Sequence, residues 1–230
     1  MLFALIGCAV VRSSIATRLD SFTFDEAYHI GAGTAYVQTG DFRLNPEHPP
    51  LVKLWVGAFV SHQGFRLSPY RTFADKGDER DFVETDVYVK NDPDAVQRRS
   101  RTAMFALNIL LLFFFALAAR RAFGDIMALA ATAFLAIDPT VAAHLPVVMT
   151  DLPVALLSST AVLLSVVAFR SWRVVDLVFA AIALGLALST KHSAVITLVA
   201  VTLIGVVMAI FSSNGTKVLE RVLEGLGRLR

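Results

Sequence analysis

Four short stretches hold the residues able to do chemistry: "FDEAYH" (24–29), "NPEHPP" (45–50), "DPTVAAHLPVVMTDLP" (138–153) and "STKHSA" (189–194). If a helix starts near Asp25, His29 follows one turn later on the same face. Acids at a helix start also favour its dipole, whatever else they do. In the second stretch, Pro49 and Pro50 fix the backbone and push the residue before them out of helical geometry, so a rigid turn projects Glu47 and His48. Carboxylate oxygen beside imidazole nitrogen suits a divalent cation, although two residues do not complete a site. The third stretch is broken by Pro139, Pro146 and Pro153 and offers Asp138, His144 and Asp151. In the fourth, Lys191 and His192 interrupt two apolar runs. Ionisable groups there are costly and tend to face a bundle interior or a substrate path, while a lysine at a helix end also snorkels to water.

The elements that must position these groups are membrane helices. The 230-residue chain is 56% hydrophobic and 17% charged, with a mean hydropathy of +0.63. Residues 102–119, 152–169 and 193–213 read as spans, each within the roughly 17–25 residues that cross hydrocarbon. Residues 122–137 and 174–190 are two more, and residues 1–17 read as a retained first helix. Irregular backbone cannot face lipid, so all should be helical. The run 51–65 is short at about 22 Å and reads as interfacial or re-entrant. A formal net charge of +2 with scattered basic residues gives no ground for nucleic-acid binding. The lone Cys8 excludes a disulfide framework and a thiolate metal site.

Orientation follows from basic residues, which favour the cytoplasmic side. Arg120 and Arg121, Arg170 and Arg173, and the tail residues Lys217, Arg221, Arg228 and Arg230 fall on one side if the spans after 101 alternate. The four chemical stretches then share the opposite, outer side. Arg98, Arg99 and Arg101 also land there, against the charge bias.

The order "FDEAYH", "NPEHPP", "HLPVVMTDLP", "STKHSA" resembles the N-terminal half of the polytopic GT-C glycosyltransferases, nearest to their protein O-mannosyltransferase and aminoarabinose-transferase-like branch. The resemblance implies an all-α GT-C-like bundle of about six transmembrane helices. Residues 18–101 would form a large first outer loop with interfacial helices, 102–213 five consecutive spans, and 214–230 a cytoplasmic tail. It implies a multi-pass protein of the bacterial plasma membrane or an endoplasmic-reticulum equivalent. There it would move a sugar from a polyprenyl-phosphate donor to a hydroxyl on protein, lipid or glycan. Asp25 matches the first-loop aspartate tied to catalysis, with Glu26 beside it, and Asp151 the acid after the third span. Lys191 matches a basic residue near the fifth span. Lys191, His192, His48 and Lys53 are candidates for the lipid phosphate, and Glu47 with His144 for a divalent metal (magnesium, manganese or zinc). Relatives are longer, which implies a missing C-terminal portion. Two readings of other classes stand beside this one: a transporter or channel fragment, which predicts charges near mid-span, and a structural membrane subunit.

Overall fold

The computed structural model describes residues 1–17, 20–211 and 227, and among them there is no strand. Ten α-helices follow in order: α1 (Leu2–Ala16), α2 (Glu26–Thr39), α3 (Leu51–His62), α4 (Lys76–Glu84), α5 (Pro93–Phe123), α6 (Asp125–Ile137), α7 (Pro139–His144), α8 (Asp151–Ser171), α9 (Val174–Leu188) and α10 (Val195–Phe211). A π-helical turn, Thr85–Lys90, follows α4, and a 3₁₀ turn, His192–Ala194, leads into α10. Among the described residues three stretches are long and apolar enough to cross a membrane: Pro93–Phe123, Asp151–Ser171 and His192–Phe211. The helices α1, α3, α6 and α9 are apolar but shorter. The expected tail at 214–230 lies outside the described residues, Gly227 excepted.

The helix boundaries have local causes. α5 begins at Pro93, well before the apolar run at 102, so Arg98, Arg99 and Arg101 ride on a helix and not in a loop. The side chain of Asp92 accepts hydrogen bonds from the amides of Asp94 and Ala95, and Pro93 occupies the first helical position, where a missing N–H costs nothing. At 31 residues, the helix is about 46 Å long and overshoots a hydrocarbon core of about 30 Å. Its basic first turns therefore need not enter lipid. α2 ends at Gly40, whose φ of 72° is the left-handed geometry that glycine adopts without strain.

Two ends of the bundle are chemically distinct. At one, the Arg170 guanidinium donates to the Ala122 carbonyl (2.9 Å) and Arg121 meets Asp176 (2.6 Å), joining the ends of α5 and α8 to the start of α9. At the other, Ser13 donates to Ala142 O (2.5 Å), the Leu51 amide to Ser189 O (2.9 Å) and the Val148 amide to Glu26 (3.2 Å). α5 and α8 thus run parallel, with α9 returning between the same two ends. All four chemical stretches gather at the second end, away from the 120–121 and 170–173 arginines.

The first-loop helices pack tightly against this end. α2 and α3 approach so closely that a Cβ on Gly33 would stand 2.1 Å from the Lys53 carbonyl, and one on Gly57 would stand 2.0 Å from the Gly33 carbonyl. The Trp55 indole then ties α3 to α5 through the Ala103 carbonyl (2.7 Å).

Candidate active site

The site starts from the head of α2. Asp25 precedes the helix, is exposed, and its carboxylate has no side-chain partner among the described residues. Glu26, its neighbour, is fully buried. The Glu26 carboxylate accepts from Arg101 Nε (3.2 Å) and Nη2 (3.0 Å), from the Thr23 amide (2.8 Å) and from the Val148 amide (3.2 Å). Arg101 also donates to the Asp20 and Ser21 carbonyls (3.2 and 2.8 Å). One carboxylate therefore binds α2, α5 and the turn before α8 together. This is how a buried charge is tolerated: it is paired and hydrogen-bonded throughout. Glu26 is thus a positioning residue, while Asp25 is left free at the surface.

One turn below Asp25, His29 is buried, and its Nδ1 has no hydrogen-bond partner. Its ring stacks on His48 from the "NPEHPP" turn, with centroids 5.6 Å apart. Burial, with the nearby Lys53 ammonium, lowers His29 to about 3. Burial likewise lowers His48, with Lys191 and Lys53 adding to it. Asp151 and Lys191 form an ion pair (2.6 Å) close enough to act on both imidazoles. The structure thus brings His48, Asp151 and Lys191 together on the same side as Asp25 and His29. His192, next to Lys191, is exposed and begins the 3₁₀ turn.

The turn itself is built by buried groups. Asn45 takes a left-handed φ of 51°, which asparagine tolerates better than most residues. Its amide donates to Glu79 (2.6 Å). Lys53, expected at a donor phosphate, is instead fully buried: its ammonium donates to the carbonyls of Asn45 and His48 and to the Tyr36 hydroxyl (3.3 Å). It fastens the turn from beneath and has no exposed surface to offer a phosphate.

Glu47 and His144, the expected metal ligands, are engaged separately. Glu47 is paired with Lys76 (2.6 Å), which also holds Glu79 (2.9 Å). The His144 Nδ1 faces the Thr140 carbonyl of its own helix (2.8 Å). Among the described residues no group of three or more His, Cys, Asp or Glu side chains is arranged to hold a metal ion. The described residues at Glu47 and His144 do not fit a divalent metal ion.

Three residues that complete this framework were not singled out from the sequence as partners: Arg101, Lys76 and Glu79. Arg101 did carry a signal, since it is a basic residue placed against the charge bias. Lys76 and Glu79 carried none; they sit in an ordinary amphipathic segment.

A buried carboxylate–arginine anchor thus stands beside an exposed aspartate at one end of an apolar helical bundle. A family model described as dolichyl-phosphate-mannose-protein mannosyltransferase matches residues 2–222, and the chain belongs to that GT-C family. Membership implies glycosyltransferase chemistry on a polyprenyl-phosphate sugar, in a membrane-embedded protein. Comparison with curated proteins and with solved structures gave no match.

Proposed function

We propose that the chain transfers a sugar from a polyprenyl-phosphate carrier to a hydroxyl of a protein, lipid or glycan acceptor, at the end of the bundle that holds Asp25. In this proposal that end faces the outer or lumenal side of the bacterial plasma membrane or its endoplasmic-reticulum equivalent, a reading supported by the arginines at 120–121 and 170–173, which favour the cytoplasmic side for the other end. Six spans serve this arrangement, α1, α5, α6, α8, α9 and α10: the short α6 and α9 count because each joins the two ends of the bundle, α1 because Ser13 reaches Ala142 at the Asp25 end, and α3 lies at the interface.

In this reading Asp25 accepts the acceptor hydroxyl's proton as the oxygen attacks the anomeric carbon. The bond from that carbon to the phosphate oxygen breaks, and the polyprenyl phosphate leaves with the electron pair. Direct attack inverts the anomeric centre. Lys191, held ready by Asp151, offers positive charge to the departing phosphate. The observation that carries the proposal is the contrast between adjacent acids: Glu26 is consumed by four hydrogen bonds, whereas Asp25 is exposed and has no side-chain partner among the described residues. Such a free carboxylate suits a base that must meet a substrate.

The test is transfer from a synthetic polyprenyl-phosphate mannose to a serine- and threonine-rich peptide, using the full chain in liposomes. Asp25→Asn is expected to abolish transfer and to leave donor binding and thermal stability near wild type. Wild-type turnover by Asp25→Asn removes the base assignment.

A further inference from the structure

At the opposite end of the bundle, α5, α6 and α8 leave an open groove of about 630 Å³, within the roughly 300–1,000 Å³ of ligand sites. Its walls are Phe115 and Phe123 of α5, Met127 and Ala131 of α6, and Val162 and Leu163 of α8. The α5 wall covers a little over two helical turns, about 12 Å along the axis. The lining is apolar apart from the serines at 158 and 159.

The groove ends beside positive charge that no carboxylate pairs among the described residues. Phe123 lines it, and the Arg170 guanidinium sits 5.7 Å from the centre of that ring. The neighbouring cations are cancelled: Arg120 pairs with Asp125 (2.5 Å) and Arg121 with Asp176 (2.6 Å). Arg170 and Arg173 are exposed and have no carboxylate partner among the described residues. Arg170 spends one donor on the Ala122 carbonyl, and no other acceptor among the described residues meets its fork. An apolar channel that terminates at an open guanidinium fork matches a molecule with a hydrocarbon tail and an anionic head.

We propose that this groove binds an anionic phospholipid of the bilayer, with an acyl chain along the Phe115–Phe123 wall and the phosphate at Arg170 and Arg173. Guanidinium is the side chain best shaped for phosphate oxygens, and basic pockets between spans are recognised sites for anionic headgroups. A protein helix would fill the same apolar walls but would leave the Arg170 fork beside Phe123 unanswered. The site lies at the other end of the bundle from Asp25, so it stands or falls independently of the transfer reaction.

The test is native mass spectrometry of the full chain, released from detergent after incubation with phosphatidylglycerol or phosphatidylcholine. The wild-type chain is expected to retain phosphatidylglycerol at least about tenfold more tightly, since each basic residue near a headgroup contributes about fivefold. Arg170→Gln with Arg173→Gln should erase that preference, and Arg170→Lys with Arg173→Lys should keep most of it. Ala131→Trp, which fills the groove, should weaken retention of both lipids. The exposed arginine variants carry the test on their own if Ala131→Trp does not fold. Equal retention of the two lipids by wild type, or an unchanged preference in the double glutamine variant, overturns the proposal. Displacement of bound lipid by glycerol phosphate alone also overturns it, because the arginines would then be reading phosphate without the groove. So does disulfide cross-linking of two copies through Ala131→Cys in a Cys8→Ser background, which would make the groove a contact between chains.

Discussion

Glu26 and Arg101, 75 residues apart in the chain, meet in a buried two-point ion pair, with Nε and Nη2 of the arginine on separate carboxylate oxygens. The pair gives the head of α2 its place against α5, and so sets where Asp25 emerges. Removing one partner of such a pair leaves an uncompensated buried charge and costs about 3–5 kcal/mol. Glu26→Gln and Arg101→Met should each lower the thermal midpoint in detergent and reduce transfer, while the double variant should recover part of the lost stability. A strictly additive double variant would show that the two residues do not act on each other.

Lys191 and Asp151 are expected to separate by function. Losing a hydrogen bond to a charged group costs about 1.5–3 kcal/mol, which is tens of fold in binding. Lys191→Gln should therefore weaken binding of the polyprenyl-phosphate carrier by that amount, with Lys191→Arg keeping more of it. Asp151→Asn frees the ammonium from its 2.6 Å partner and should leave carrier affinity equal to wild type or higher. Titration of the purified chain with the carrier decides this; equal binding by all three variants makes Lys191 a surface anchor.

His29 should leave a mark on acid stability. Its folded value of about 3 lies below its ordinary 6.5, so between those values the unfolded chain binds a proton that the folded chain refuses. Stability is therefore lost as pH falls through 6.5 toward 3, at up to about 1.4 kcal/mol per pH unit. Replacing His29 with Gln should flatten that slope in denaturation curves recorded between pH 7 and 4. A parallel slope in both proteins assigns the acid sensitivity to other groups.

Gly57 is predicted to be intolerant of even one carbon. An added Cβ meets backbone, 2.0 Å from the Gly33 carbonyl, and no flexible side chain can yield there. Gly57→Ala should destabilise the chain by about 3 kcal/mol or more, beyond the usual 1–3 kcal/mol of overpacking. By contrast Gly185→Ala, with open space around it, should raise helix stability by up to about 1 kcal/mol. Thermal melts of both variants check the pair.

The helices were legible because apolar runs between charged breaks have one stable form in lipid. The apolar runs at 152–169 and 174–190 are helical as α8 and α9, within two residues at either end, α8 being long enough to cross a membrane and α9 shorter. The gathering of the four polar stretches at one end was also legible, through alternation of spans. What lay beyond the sequence was pairing. Glu26 and Asp25 are both acids at a helix start, and only the arrival of Arg101 and the Val148 amide separates anchor from free carboxylate. Lys53 reads as a candidate for the lipid phosphate until three inward-facing oxygens are seen around its ammonium. Charge type is local information, whereas its neutralisation is supplied by residues far along the chain.

The hydrogen bond from the Leu51 amide to the Ser189 carbonyl sets a schedule for biogenesis. The first loop leaves the ribosome roughly 140 residues before its docking partner, a wait of about 7–28 s at ordinary rates of synthesis. During that interval the His48 turn has no α9 terminus to rest on, and the stack of His29 and His48 has no neighbouring Lys191. The nascent protein therefore passes its early life with helices inserted and its polar end unassembled, and slowing synthesis between α3 and α9 lengthens the window in which a chaperone or protease can reach that loop.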